Sequence, residues 1–568
     1  MTDQQPPTGP QEPTVPSEPR WDPPGAAGTP GGQPLPPSPP PAGQPPAYPP
    51  PAYGQQPDSG QPYQDQAAPQ RPFGQQPLGE PTYGDVVASA PAKGRRGLAL
   101  GGGALVLALV AGGGLYAATQ AGEGGGGQPE DLVPSTAYAF VKIDLDPAAD
   151  QKVAIHDFSS KIPKAPKTTA DDPIDGLLRE VFKDKAGKCS YEADIKPWLG
   201  KRIGIAAIDG AGGKTRPLVL MQVTDAAKAK AAESKLTSDV CSSDSSSKSD
   251  LKGFAVKDGY AVMSETQADV DAALTSAKTR SLKRAGTFAS DVGKLDGSQV
   301  VVVWADVARG FEAIAKENPK LNALPNGIAK QLKGRLVLGL HMASNYAELS
   351  GRLIGGDLSA AKYGSPTALT KLPKSTVVAA SVNGLQAQIE KQLSQLGAGG
   401  LNLDQMLGAA SSQLGLDVRR DLLPLLGSTT TLSLGNVPTS PLDAEFGLQS
   451  TVTDPAAAAA AGAKLKGIAA KQGIELDAEV AGTTFYLTSK GYAATLKGDG
   501  GLGSSPVFAA AMGTLGKDVA SAVFVDIGQL GKLRKGAGGA DTAYISAFGF
   551  SSGKDGDDGY LRMRLVVK

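Results

Sequence analysis

The residue types that most often carry catalysis or bind metals are scarce in this chain. Its 568 residues include two histidines, His156 and His341, and two cysteines, Cys189 and Cys241. The histidines lie far apart, without the HxxxH or HExxH spacing that puts two zinc ligands on one helix face. We therefore expect no catalytic residue, no metal site, no cofactor and no nucleophile elbow of the GxSxG type. The pattern is more typical of a binding protein than of an enzyme.

The two cysteines are the remaining candidates for covalent chemistry. An even number of cysteines in an oxidising compartment favours a disulfide between Cys189 and Cys241. Such a bond would close a loop of about 50 residues and contribute roughly 4 kcal/mol to stability. The serine-rich sequence around Cys241, SDVCSSDSSSKSD, supports the alternative of an exposed free thiol.

Two further motifs resemble binding sites but predict turns. The sequence GAGGKT, Gly210 to Thr215, is similar to a phosphate loop, yet it lacks the first glycine of that motif and leads into a strand instead of a helix. The acidic cluster in SGKDGDDGY, Ser552 to Tyr560, lacks the ligand spacing of a calcium loop. We interpret both as hairpin turns. IDLDPAAD is likewise interpreted as a strand end, with Asp146 capping the next helix.

An uncharged apolar run, residues 97–119, separates the N-terminal segment from the larger C-terminal part of the chain. Its length covers the hydrocarbon core of a bilayer, roughly 30 Å at 1.5 Å per residue. Lys93, Arg95 and Arg96 precede the run directly, so the positive-inside rule predicts a single-span membrane protein with a cytoplasmic N-terminus and an extracellular C-terminal part. A cleaved signal peptide is the alternative, but about 96 residues precede the run. Small residues at helical spacing within it are compatible with a homodimer through the transmembrane helix.

The segments flanking the span differ sharply in composition. Residues 1–96 hold 27 of the 44 prolines, together with many Gln and Gly residues, which predicts a disordered cytoplasmic tail. Carboxylates outnumber basic residues in this tail up to Lys93, and the whole chain has no net charge, so we expect no nucleic-acid partner. Residues 120–131 form a Gly-rich linker.

The rest of the chain contains an internal repeat. LVPSTAYAFVKIDL at Leu132 matches KLPKSTVVAASVNGL at Lys371, IKPWLGKRIGIAAID matches DLLPLLGSTTTLSLG, and LSGRLI at Leu349 matches LRMRLV at Leu561. Asp225 and Asp454 occupy matching helix N-cap positions, and two hairpins around Gly-Tyr pairs, in residues 253–264 and 483–498, also match.

This repeat predicts the fold class. We expect an α+β ectodomain of two tandem homologous units, residues 132–360 and 361–568, each with mostly antiparallel sheets and Ala-rich covering helices. Two unrelated domains of similar composition are the alternative.

These landmarks also carry a family resemblance. The strand ending in VKIDLDP, the IKPWLG turn around Trp198 and the FAVKDGYAV hairpin resemble actinobacterial proteins of the domain of unknown function 3352 family. The resemblance covers the ectodomain and is clearer in its first half. It implies a membrane-anchored cell-surface or envelope protein with no assigned activity and no catalytic residues to carry over.

Together these features favour a non-enzymatic ectodomain that binds or scaffolds an envelope component or a protein partner of unknown identity. The first alternative is an extracytoplasmic hydrolase whose active site is dispersed over several loops between the two units. The second is a protein that binds a lipid or another apolar ligand between the units, since the chain is rich in Ala, Val and Leu.

Overall fold

The computed structural model describes most of the chain beyond the predicted span. All described residues belong to the unit Ala92–Lys568, and they are residues 127–163, 165–166, 168–169, 172–183, 190–210, 213–238, 251–317, 333–359, 361–398, 408, 411, 415–436, 443–498, 500–531 and 543–568. The tail 1–96, the apolar run 97–119, Cys189 and Cys241 lie outside them. Within these ranges, every helix is too short or too polar to cross a bilayer.

Sixteen strands of the described residues form one antiparallel sheet. The strands are β1 (Ala139–Asp144), β2 (Leu199–Asp209), β3 (Thr215–Val223), β4 (Gly253–Lys257), β5 (Tyr260–Ser264), β6 (Val301–Asp306), β7 (Arg335–Ala343), β8 (Tyr346–Ile354), β9 (Val378–Asn383), β10 (Thr429–Leu434), β11 (Phe446–Thr451), β12 (Leu476–Ala481), β13 (Thr484–Ser489), β14 (Asp518–Val525), β15 (Ile545–Asp555) and β16 (Asp558–Val567). The prediction of an α+β fold with mainly antiparallel pairing is confirmed.

The strand order is the same in the two halves of the sheet. The first half runs β4-β5-β3-β2-β1-β6-β7-β8, and the second runs β12-β13-β11-β10-β9-β14-β15-β16. The last strand of each half pairs with the other, β8 against β16. This pairing joins the two halves into one sheet and satisfies the main-chain groups that two open edges would expose.

Helices cover both faces of the sheet. They are α1 (Ala149–Ser160), α2 (Pro173–Lys183), α3 (Ala226–Leu236), α4 (Gln267–Thr279), α5 (Leu282–Ala285), α6 (Thr287–Val292), α7 (Val307–Glu317), α8 (Thr367–Thr370), α9 (Leu385–Ala398), α10 (Pro455–Lys471), α11 (Tyr492–Lys497), α12 (Pro506–Met512) and α13 (Ile527–Leu530). We call the face that carries Phe140 and Phe524 the inner face. Helices α4 to α6 pack on it in the first half, and α8, α11 and α12 in the second.

Alanine lets two helices pack closely on the opposite, outer face. Ala229 and Ala232 of α3 lie fully or almost fully buried over the first half, and Ala458 and Ala461 of α10 lie buried over the second. Each helix begins after the predicted N-cap aspartate. The Asp225 carboxylate accepts from the amides of residues 227 and 228, and that of Asp454 accepts from the amide of residue 457. Both capping predictions are confirmed.

The turns follow the predictions with two exceptions. GAGGKT connects antiparallel β2 and β3, and the acidic cluster forms the tip of the β15–β16 hairpin. The hairpin in residues 253–264 is also confirmed. In the second half, however, the hairpin turns at Gly482, and Tyr492 begins helix α11. Asp146 does not cap α1, whose N-cap is Ala148; it forms ion pairs with Lys152 and Lys201 instead.

Candidate functional site

The two histidines have structural roles in the part of the chain that the structure describes. Nδ1 of His156 lies 3.2 Å from the Thr168 hydroxyl, and Nδ1 of His341 lies 2.9 Å from the Ser298 carbonyl. The two rings belong to different hydrogen-bond groups, and the described residues contain no cluster of His, Cys, Asp and Glu that fits a metal ion. The predicted Cys189–Cys241 disulfide stays a prediction.

A GxSxG pattern does exist in the sequence, contrary to our expectation. Gly549 to Gly553 reads GFSSG. The structure places it within strand β15, where the central residue, Ser551, is 2% exposed and lies opposite Ala522 and Arg562. A nucleophile elbow needs a sharp strand-to-helix turn that exposes its serine. This segment is therefore a structural strand.

A cavity of about 550 Å³ lies where the two halves of the sheet meet. Its floor is formed by strands β8 and β16, on the inner face. Its walls come from the loop before β6, at Leu295, and from the loop before β14, at Leu515. Because these two loops occupy the same place in the two halves, both halves contribute to one site. A second cavity of similar volume lies at the outer edge of the second half, beside Ala494.

Four polar side chains form the floor of the junction cavity. Ser350 lies opposite Arg562, and Arg352 lies opposite Tyr560, in the register of β8 with β16. Residues two apart on a strand share a face, so the four side chains lie side by side on the same surface. Cross-strand and diagonal neighbours on one face are within reach of each other. The floor thus presents two guanidinium groups and two hydroxyls.

Exposed carboxylates partly satisfy the two arginines. Nη1 of Arg352 donates to Oδ2 of Asp555 at 2.7 Å, and Nη2 of Arg562 lies 3.4 Å from Oδ2 of Asp296. The side chains of Asp555 and Asp296 are 67% and 68% exposed. Ion pairs with such exposed partners contribute little to stability, because water competes for both charges. These two contacts can therefore be exchanged for others at small cost.

Three buried polar atoms of the floor make no geometric hydrogen bond with any described residue. They are Oγ of Ser350, whose residue is 8% exposed, the hydroxyl of Tyr560, and Nε of Arg562, which has a 3.4 Å ion-pair contact with Glu348. Buried polar atoms are normally paired, and leaving one unpaired costs about 1–3 kcal/mol. Burial also raises the pKa of the nearby Tyr560 hydroxyl, which keeps it protonated and able to donate.

The two strands of the floor, β8 and β16, carry different residues at positions that match in the repeat, and this difference explains the charge of the floor. The repeat that matches Arg352 with Arg564 also matches Glu348 with Tyr560. In the antiparallel register, Arg564 lies opposite Glu348 and forms an ion pair with it, whereas Arg352 lies opposite Tyr560. Tyr560 carries no charge at the position where its counterpart carries a carboxylate. Arg352 therefore pairs with the exposed Asp555, and its positive charge lies in the lining of the cavity.

Sequence reasoning missed this site. LSGRLI and LRMRLV served only as landmarks of the repeat, although arginines recur at alternate positions in LRMRLV, a strand that is otherwise apolar. Such a pattern predicts charged side chains on one face of a strand. It does not reveal that the two strands pair with each other.

A second group of charged residues is buried under the first half. Nζ of Lys142 donates to Oε1 of Glu130 at 3.0 Å and to Oε1 of Gln128 at 2.6 Å. Asp144 lies on the same face, opposite Arg202, and burial raises the pKa of its carboxyl to about 6 despite the nearby cations. These contacts hold the short 3₁₀ helix Pro129–Asp131 against the sheet. Lys142 has both of its partners within this group and, although Oε2 of Glu130 makes no hydrogen bond with a described residue, we interpret the group as structural.

Comparisons with known proteins give a family but no activity. A solved structure described as crystal form III of TP0453 is similar to this chain, with 14% sequence identity, coverage of 43% of this chain and 84% of that chain, and a TM-score of 0.23. No curated protein matches the chain. The family described as "Protein of unknown function (DUF3352)" matches residues 100–522, which is well over half of the sequence. This chain therefore belongs to the DUF3352 family.

Proposed function

We propose that this protein is a membrane-anchored, non-enzymatic binding protein whose extracellular part holds a small polar ligand in the junction cavity. The observation that carries the proposal is the polar floor of that cavity, in which the guanidinium groups of Arg352 and Arg562 lie beside the hydroxyls of Ser350 and Tyr560. Small-ligand sites are typically concave and place a few polar groups together, and the carboxylates that now pair with the two arginines are exposed enough for a polar ligand to replace them.

The apolar run 97–119 supports the membrane anchor, with the Pro-rich tail in the cytoplasm and the folded part outside. The equal strand order of the two halves supports an origin by duplication, as tandem homologous units 132–360 and 361–568. The actinobacterial origin that the sequence resemblance implies, the homodimer through the span and an envelope partner are parts of the same proposal.

The polarity of the floor favours this reading over an apolar ligand between the units. Ser350, Arg352, Tyr560 and Arg562 would each have to be desolvated against a lipid chain without compensation. The hydrolase alternative needs a base beside a nucleophile, and neither histidine is among the described residues that line the cavity. Labelling by a serine-hydrolase probe that disappears in Ser350→Ala would overturn the non-enzymatic reading.

Native mass spectrometry of the full-length chain, purified in detergent from its own membranes, tests the binding function. We expect the wild-type chain to retain a small molecule that Thr514→Trp loses, because Thr514 is an exposed wall residue and a tryptophan there fills the cavity. Ala494→Trp, a matched substitution at an exposed residue of the second cavity, should retain it. A wild-type chain that carries no molecule, or equal retention by both variants, would contradict the proposal.

Protease treatment of intact cells tests the orientation. We expect digestion of the part beyond residue 127 and protection of the tail 1–96, which lies behind the membrane. Digestion of the tail with sparing of the remainder would show that the orientation is reversed.

A further inference from the structure

The chemistry of the cavity floor identifies the class of ligand more closely. We infer that the junction cavity binds a phosphate ester, clamped by the guanidinium groups of Arg352 and Arg562 in competition with the carboxylates of Asp555 and Asp296. This inference rests on the proposed binding function.

The first step is the donor geometry. Arg352 and Arg562 lie diagonally on adjacent strands of one sheet face, beside the hydroxyls of Ser350 and Tyr560. A guanidinium is a planar fork that donates two parallel hydrogen bonds to an oxyanion. Nη1 of Arg562 donates to the Thr514 carbonyl at 2.8 Å, so this guanidinium offers Nη2, while that of Arg352 is held only by an exposed carboxylate. Together with the two hydroxyls they form a surface of donors, which suits a phosphate group because it offers several acceptor oxygens.

The second step is charge. The position opposite Arg352 is occupied by a neutral Tyr560, whereas the matching position opposite Arg564 is occupied by Glu348. Lys517 adds a further cation to the lining, and it forms no ion pair with any described residue. A neutral sugar or polyol would add no counter-charge for Lys517, whereas a phosphate ester, with a charge of about −1.5 to −2 near pH 7, balances it and can replace the exposed carboxylates at the two arginines.

The third step is competition within the protein. Asp555 and Asp296 are largely exposed and lie at the tip of a hairpin and in a loop, yet each reaches an arginine of the floor. Their carboxylates are oxyanions, as is the phosphate that we infer. When the phosphate arrives, it takes the same donors in a more enclosed setting, where charge-assisted hydrogen bonds are stronger. The two aspartates therefore weaken binding, and removing either one should strengthen it.

The size of the cavity requires more than the phosphate. About 550 Å³ falls within the range of pockets that hold whole small ligands. The lining also includes carboxylates, such as Asp518, that accept hydrogen bonds from hydroxyls. The ligand is therefore a phosphate ester of a hydroxylated group. Such an ester can be a free sugar or polyol phosphate or the headgroup of a lipid, and both share the chemistry that the floor recognises.

Isothermal titration of the full-length chain in detergent tests this inference. The probes are sn-glycerol 3-phosphate, glucose 1-phosphate, inorganic phosphate and glycerol, in a buffer without phosphate. We expect the phosphate esters to bind at least 100-fold more tightly than glycerol. Arg562→Met should weaken binding about 10- to 100-fold. Lys497→Met, which removes a cation beside the second cavity, should leave the affinity within about twofold.

The exposed aspartates keep the test decisive if Arg562→Met fails to fold. Asp555→Asn and Asp296→Asn change exposed side chains, so the fold should persist, and each should tighten binding of the ester about threefold. Weaker or unchanged binding in both variants would overturn the inference, as would equal affinity for glycerol or no binding by any phosphate ester.

Two additional experiments complete the test. The first distinguishes a lipid headgroup from a soluble ester, and the second distinguishes failure of the phosphate assignment from failure of the binding function. Displacement of glycerol 3-phosphate by phosphatidylglycerol in mixed micelles would assign the site to a lipid headgroup, and its absence would assign it to a soluble ester. If the chain purified from membranes retains a neutral molecule instead, the binding function stands and the phosphate assignment fails.

Discussion

The two halves of the sheet share one strand order but differ in the polar groups that they bury. On β1 and β2 of the first half, Asp144 lies opposite Arg202. At the same place in the second half, on β9 and β10, Asn383 lies opposite Thr429 and accepts a hydrogen bond from its hydroxyl at 2.6 Å. One architecture therefore accommodates charged or neutral groups, because main-chain pairing and apolar packing define the sheet and the buried polar groups need only satisfy each other.

The same contrast between charged and neutral buried groups appears two residues earlier on β1 and β9. Lys142 of β1 is buried with Glu130, while Ser381 of β9 exchanges a hydrogen bond with Thr431 at 3.0 Å. A buried charge that loses its partner is much more costly than a buried hydroxyl that loses one. The first half should therefore be the more sensitive to substitution of its buried polar residues.

Breaking the buried ion pair should have the largest effect. Lys142→Met leaves the carboxylate of Glu130, which is 6% exposed, without a cation, and we expect it to lower the free energy of unfolding by about 3–5 kcal/mol. The matched change in the second half, Ser381→Ala, should cost about 1 kcal/mol. Urea unfolding of both variants measures the difference. Equal losses would show that the two polar interiors are energetically equivalent.

A smaller effect should separate the matching arginines of β8 and β16. Arg564 pairs with the buried Glu348 and stacks 4.3 Å from the ring centroid of Tyr346, so Arg564→Met should cost about 2–3 kcal/mol. Arg352 pairs with the exposed Asp555, and Arg352→Met should cost less than about 1 kcal/mol. Thermal unfolding of the two variants checks this order. A larger loss in Arg352→Met would refute the view that its ion pair is easily exchanged.

The last prediction concerns pH. Burial raises the pKa of Asp144 from its ordinary 3.8 to about 6. The folded chain therefore binds more protons than the unfolded chain between these values, and stability should fall as pH rises from 3.8 to 6 and then stay level. Asp144→Asn, which installs the residue found in the second half, should remove this part of the pH dependence. An unchanged profile would assign it to other groups.

Several elements of the fold could be read directly from the sequence. Asp225 and Asp454 precede Ala-rich runs at N-cap positions, and both cap helices. The sequence predicts a turn at GAGGKT because strand patterns flank it, and β2 and β3 on either side of it pair antiparallel. The hairpin predicted around the second Gly-Tyr pair is wrong because Gly491 is a helix N-cap with positive φ, a backbone conformation that glycine also supplies in hairpin turns. A local sequence does not distinguish between these two uses.

The candidate site depended on contacts that local sequence does not encode. Ser350 and Arg562 are 212 positions apart, and they meet only because β8 and β16 pair across the junction. Unpaired edges of two similar halves were predictable, but their pairing with each other was not, since any strand edge offers the same main-chain groups.

By itself, the sequence determined the alternation of apolar and polar residues, the helix caps and most of the turns, because each of these depends on residues near one another in the chain. Only the tertiary structure decided that the two halves form a continuous sheet and that Arg352 faces Tyr560 while Arg564 faces Glu348. The physical reason is that strand register across the junction is set by the packing of the whole inner face, so the charge of the cavity is a property of the assembled sheet.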